Sequence, residues 1–208
     1  SHMGKLSIVI EPSLFDMVGL IVNPIPSTYL NIYTDGRYTE LMKVHGDIIT
    51  EAVDFYQSAM SGAGSEIRNM INPESVDELM ADLEEFAHDD DDDDELEDFP
   101  LLIPLQEEVY DLLFIISPDI TEDEASWLDY EDLMKMYMDA LYAAATNGYT
   151  VVTLPLDFVT SSKYNVAIVV SIVHTCAMIH FKNFVEIVIQ TTNMDILYHI
   201  GMKPNLSN

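Results

Sequence analysis

The sequence predicts an α/β fold built on a mostly parallel sheet. Two observations carry the prediction. Short apolar, β-branched runs alternate with longer stretches of helical periodicity along the chain. Residues 148–201 then read as strand, helix, strand, helix. The strands are Tyr149-Thr-Val-Val-Thr-Leu-Pro-Leu156 and Phe184-Val-Glu-Ile-Val-Ile-Gln190, the helix between them covers about 162–181, and Asn193 opens a short helix over 194–200. A helix between two such strands is a βαβ unit, which favours parallel pairing and a right-handed crossover. The connection Asp157-Phe-Val-Thr-Ser-Ser-Lys163 follows the carboxyl end of the first strand. Open α/β sheets place their ligand crevices there.

The earlier elements follow from local signals. Leu6-Ser-Ile-Val-Ile10 is a strand, turned by Glu11-Pro-Ser-Leu-Phe-Asp16. Val18-Gly-Leu-Ile-Val22 is almost wholly apolar, which predicts a central strand. Asn23-Pro-Ile-Pro26 is expected to end it. A polar and aromatic loop leads to Asp35-Gly36 and then to a helix over about 37–60, with Leu41, Val44, Ile48, Ile49, Val53 and Tyr56 at helical spacing. Phe99-Pro-Leu-Leu-Ile-Pro-Leu105 is interrupted by proline and fits an edge strand. Leu112-Leu-Phe-Ile-Ile116 is a buried strand closed by Ser117-Pro118. Residues 121–130 read as an acidic linker, and a helix follows to Thr146, capped by Asn147-Gly148.

The chain has 208 residues, of which 49% are apolar, enough for one sizeable core. Ser1-His-Met3 reads as a cloning scar, which implies a piece of a longer protein. Residues 4–208 are expected to form one domain with an acidic insertion at about 74–98. In that insertion 15 of 25 residues are acidic and none is basic. Its first half keeps an apolar stripe (Val76, Leu79, Met80, Leu83, Phe86), which predicts a surface helix. Asp89, Asp90, Asp91, Asp92, Asp93 and Asp94 form an unbroken run. Like charges with nothing apolar to bury favour a solvated loop. The alternative, a weak divalent-cation site, lacks the glycine turn and spaced oxygens of a calcium loop.

Charge excludes more than it selects. The chain carries 37 acidic residues against 8 Lys and Arg, a net charge of −29. Nucleic-acid affinity rests on Lys and Arg displacing counterions, so nucleic acid is disfavoured as a partner, and anionic membrane surfaces likewise. No apolar run approaches the roughly 20 residues that span a bilayer. The longest, 166–179, reads as a buried helix. Cys176 is the only cysteine and reads as a small hydrophobe. A cytoplasmic setting is expected from the absence of disulfides. No phosphate loop, dinucleotide fingerprint, zinc-helix motif or serine elbow is present, and no metal or cofactor is expected. His174 and His180 stand six apart, which does not put them on one helical face.

The order of these pieces resembles the macrodomain, the ADP-ribose-binding module. Leu20-Ile-Val-Asn23 looks like the family's strand running into Val-Asn-Ala-Ala-Asn, Asp35-Gly36 like the Asp-Gly after its glycine-rich loop, and Phe114-Ile-Ile-Ser-Pro118 like the strand ending near Val-Gly-Pro. The resemblance implies a three-layer α/β/α fold with a mixed, mostly parallel central sheet. It also implies ligand-cleft candidates: Asn23, Asp35, Gly36, the backbone of Phe158, Val159, Thr160 and Ser161, and Asn193.

The departures lie in the ligand loops. The family's adenine-holding acid falls on Pro12, beside Glu11, and its second asparagine falls on Pro26. The ribose-wrapping glycines are replaced by Leu30-Asn-Ile-Tyr33, and the second diphosphate loop falls on Val159-Thr-Ser-Ser-Lys163, which has no glycine. Glycine lets backbone N–H groups approach phosphate without a Cβ in the way, so a narrower cleft is expected. Val152-Thr-Leu-Pro-Leu-Asp-Phe-Val-Thr160 is similar to the SARS-unique macrodomains of the coronavirus replicase subunit, a branch that binds RNA or host proteins. The resulting expectation is a non-catalytic interaction module of a larger, viral replicase protein, working with a protein partner in the host cytoplasm. The alternatives are an ADP-ribose-binding or de-ADP-ribosylating domain with an unconventional cleft, and an RNA-binding macrodomain.

Overall fold

The structure, a computed structural model, describes residues 4–10, 13–25, 38–60, 100–159 and 163–200. The readings made above for 26–37, 61–99 and 160–162 lie outside the described residues. These include the proline-aromatic loop, Asp35-Gly36, the acidic stretch with its helix, and the six aspartates.

Among the described residues six strands form one sheet: β1 Lys5–Ile10, β2 Gly19–Ile25, β3 Leu101–Ile103, β4 Tyr110–Ile116, β5 Val151–Pro155 and β6 Glu186–Thr191. Their order is β1-β6-β5-β2-β4-β3. Every pairing is parallel except β3 with β4, so the sheet is mixed and mostly parallel, as the sequence implies. The helices are α1 Thr39–Met60, α2 Trp127–Thr146, α3 Val166–His180 and α4 Ile196–Ile200.

Strand alternation divides the core between two faces. Leu20, Val22, Leu113, Val152, Leu154 and Ile187 pack against α2, α3 and α4. Ile21, Ile25, Leu112 and Phe114 pack instead against Tyr38, Leu41 and Ile49 at the start of and along α1. Helices on both faces of one sheet make the three-layer α/β/α arrangement. β2 is central and buried after its first residue, which explains its nearly unbroken apolar run.

Four local features depart from the sequence reading. β2 does not stop at Asn23 but continues through Pro24 to Ile25. Beyond Ile21 it pairs only with β4, and proline is tolerated in such a one-sided stretch. Helix α2 starts at Trp127, inside the expected linker. Ser126 accepts from the Asp129 N–H, and the Asp129 carboxylate accepts from the Ser126 N–H, a reciprocal cap hidden among acidic residues. Helix α1 breaks at His45 (φ −122°, ψ 17°), leaving Val44 53% exposed while His45 is buried. Helix α3 buries Val169, Val173 and Cys176 but exposes Met178 and Ile179. By length and composition the 18 residues from Val166 are apolar enough to cross a bilayer, and 28% of them are buried in the domain. One face of α3 is therefore core, rather than the whole helix.

Candidate functional site

The strand order reverses between β5 and β2. From β2 the chain goes by α1 toward β4 and β3, and from β5 by α3 to β6 on the other side. Connections leaving in opposite directions open a crevice at the carboxyl ends of the two strands. The pairing shows the divergence: β2 matches β4 over seven residues but β5 only at Leu20↔Val152 and Ile21↔Thr153.

Asn23 lies just past that last pair and is fully buried. Strand alternation puts it on the α1 face, with Ile21 and Ile25. Its Nδ2 donates to the Ile21 carbonyl at 2.8 Å. Its Oδ1 is buried with no hydrogen-bond partner. Thr153, paired with Ile21 on β5, is also fully buried, and its Oγ1 also lacks a partner. Unsatisfied buried polar atoms are uncommon and costly, so two beside one switch point make this a candidate polar site. Thr153 was not singled out from the sequence, although a lone hydroxyl inside the run Val151–Pro155 is the signal that finds it.

An aromatic pair fills the adjoining space. Phe158, in the loop after β5, stacks on Tyr38 with ring centroids 4.9 Å apart and planes 16° from parallel. The Tyr38 hydroxyl donates to the Pro24 carbonyl, tying the pair to the end of β2. Both rings are buried. Val159 turns the other way into the core shared with α2 and α3, and its N–H donates to the Leu156 carbonyl at 3.0 Å.

The loop after β5 is also fixed to the end of β6. Asp157 accepts from the Thr191 hydroxyl at 2.8 Å, the Thr192 N–H at 3.1 Å and the Thr192 hydroxyl at 2.5 Å. Asn193 follows, its N–H donating to the Thr191 hydroxyl and its Oδ1 accepting from the Asp195 N–H. The fold thus brings Asn23, Phe158, Val159 and Asn193 to one edge of the sheet. Asn23 and the Phe158 and Val159 side chains are buried there, and Asn193 is exposed. Asp35, Gly36, Thr160 and Ser161 lie outside the described residues. Tyr38 and Asp157, which the sequence reading did not select, organise this edge.

Other chemistry-bearing groups have structural settings. Among the described residues no three His, Cys, Asp or Glu side chains gather to hold a metal. The Asp89 to Asp94 run lies outside those residues. Burial pushes the Cys176 thiol up to about 11, leaving it protonated and unreactive. His180 shares a hydrogen bond of 3.3 Å with Asn183, and burial lowers its pKa.

No protein-family model and no curated protein matches the sequence. Solved structures do match in shape. A Trypanosoma brucei macrodomain superposes over 94% of this chain with a TM-score of 0.50 and 12% identity. The chain spans 65% of that domain's length. The same trypanosomal macrodomain in complex with ADP gives a TM-score of 0.50, 12% identity and coverage of 94% of this chain and 67% of the other. The macro domain of ganglioside induced differentiation associated protein 2 gives a TM-score of 0.56 at 13% identity, covering 95% of this chain and 82% of the other. With the strand order, the two-faced core and the switch point between β5 and β2, these likenesses show that the chain has the macrodomain fold.

Proposed function

We propose that the chain is a non-catalytic macrodomain-type interaction module whose partner is a protein. The observation that carries this reading is the buried stack of Tyr38 on Phe158 at the switch point. It puts two rings where the fold opens its crevice, and its anchor on Pro24 holds them there. Asp157 adds to it. A carboxylate at the head of the loop that would face a diphosphate repels that ligand, and glycine is missing from the same loop. The similarity of Val152-Thr-Leu-Pro-Leu-Asp-Phe-Val-Thr160 to the SARS-unique macrodomains supports a setting in a viral replicase protein, in the host cytoplasm.

The experiment is a de-ADP-ribosylation assay on an ADP-ribosylated protein. We expect no release of ADP-ribose above the buffer rate. Enzyme-dependent release that follows protein concentration overturns the reading.

A second reading, binding of an ADP-ribose-type nucleotide, is favoured by the unpartnered Oδ1 of Asn23. A trypanosomal neighbour of the same fold was solved in complex with ADP. Under this reading Asn23→Ala abolishes nucleotide binding; under the first it has no binding phenotype.

A further inference from the structure

A cavity lies at the end of the sheet opposite the switch point, beside the amino end of β4. It measures about 310 Å³ and sits between α1 and the turn joining β3 to β4. Ile48, Pro104 and Leu105 give it an apolar lining, His45 forms a wall, and Glu107 and Glu108 bring two carboxylates.

Both sides are held in place. The His45 Nε2 lies 2.7 Å from the Tyr110 hydroxyl, which ties the break in α1 to the first residue of β4. The Leu105 N–H donates to the Asp111 carboxylate at 2.9 Å, and the Glu108 N–H donates to the Leu105 carbonyl at 3.2 Å. The turn therefore presents its carboxylates from a fixed backbone. Val44 and Val109, next in sequence to two lining residues, are 53% and 70% exposed. An apolar, acid-rimmed hollow with exposed valines nearby has the make-up of a protein contact around one anchoring side chain.

The occupant follows from charge and shape. Carboxylates select a cation, and an apolar lining selects one carried on a hydrocarbon stem. No three-ligand metal group occurs among the described residues. The cavity lies at the low end of the range for small-ligand pockets, about 300–1,000 Å³, which suits a single long side chain. A guanidinium offers a planar fork of donors to carboxylate oxygens, and arginine is enriched at interface centres.

We propose that this cavity docks an arginine side chain of a partner protein, its stem against Ile48, Pro104 and Leu105 and its guanidinium at Glu107 and Glu108. The proposal rests on the interaction-module reading and names the chemistry of the partner. It concerns the other end of the sheet from Asn23, so the two readings fail separately: nucleotide effects fall on β2 and the loop after β5, arginine effects on α1 and the β3–β4 turn.

The test is an NMR titration of the whole chain with Nα-acetyl-arginine methylamide, and with the matching citrulline derivative as its uncharged counterpart. We expect shifts confined to residues 44–48 and 104–110, and affinity about tenfold weaker for citrulline, which loses the charge-assisted bonds. The E107Q/E108Q double variant, on an exposed turn, should lose the arginine effect while the rest of its spectrum is unchanged. Equal binding of citrulline, shifts scattered over the acidic surface, or no shifts at tens of millimolar arginine derivative overturn the proposal. The citrulline comparison uses the unaltered protein and holds even if the double variant does not fold.

Discussion

Tyr38 and Phe158 stack nearly parallel, 4.9 Å apart, although 120 positions separate them in sequence. One begins the approach to α1 and the other follows β5. Their contact joins the two strand ends that diverge at the switch point. Phe158→Ala should therefore cost about 3–5 kcal/mol, the range for deleting a buried phenyl ring. Tyr38→Phe keeps the stack but removes the bond to the Pro24 carbonyl, and should cost about 0.5–1.5 kcal/mol. Denaturant unfolding of both variants checks the ordering. A loss for Phe158→Ala no larger than for Tyr38→Phe contradicts the stack as a core contact.

Gly19 opens β2 with φ +84°, and a Cβ there meets the Val151 carbonyl oxygen at 2.2 Å. Gly19→Ala meets both a left-handed backbone and a backbone clash. It should destabilise by at least about 1–2 kcal/mol, the left-handed cost alone. Gly148 also has positive φ (81°) but has nothing within 4 Å of its Cβ position, so Gly148→Ala should be the milder change. Thermal unfolding of the pair gives the comparison.

Ser126 begins α2 with a reciprocal cap. Ser126→Ala should cost about 1 kcal/mol, within the usual 0.5–2. Ser126→Asp, which keeps an acceptor at the same place, should recover most of it. Amide exchange in the first turn of α2 locates the effect.

His45 predicts a pH dependence. Burial lowers its pKa below 6.5, and nearby Glu108 partly opposes the shift. The unfolded chain then binds the proton more readily than the folded one. The stability contribution is complete above 6.5 and is lost as pH falls from there through the lowered folded value. His45→Gln keeps a polar partner for the Tyr110 hydroxyl without titrating. Unfolding midpoints at neutral pH and on its acid side should fall more for the unaltered chain than for this variant. An equal fall removes His45 from the account.

Much of the fold was legible because the sheet is buried. β2 and β4 are nearly continuous apolar runs, and the β5–α3–β6 spacing fixed parallel pairing. The misreadings came from local rules met by unseen neighbours. Pro24 looked like a strand end because the narrowing of the β2–β5 ladder cannot be read from β2 alone. The cap of α2 was lost among acids that share its residue types. A helical stripe gives no sign of the break at His45, because the hydrogen bond that accompanies it comes from Tyr110, 65 positions away. At the candidate site, Asn23 was selected from its motif. Tyr38, Thr153 and Asp157 were not, since their roles arise only when the strand ends meet.

Under the proposed reading, the buried stack of Tyr38 on Phe158 stands where a nucleotide would otherwise bind at the switch point. Isothermal titration of the purified chain with ADP-ribose, at moderate salt, tests it most directly. No binding heat and no thermal shift are expected. Micromolar binding that disappears in Asn23→Ala would contradict it, and would mean that the Oδ1 of Asn23 serves a ligand that the stack admits.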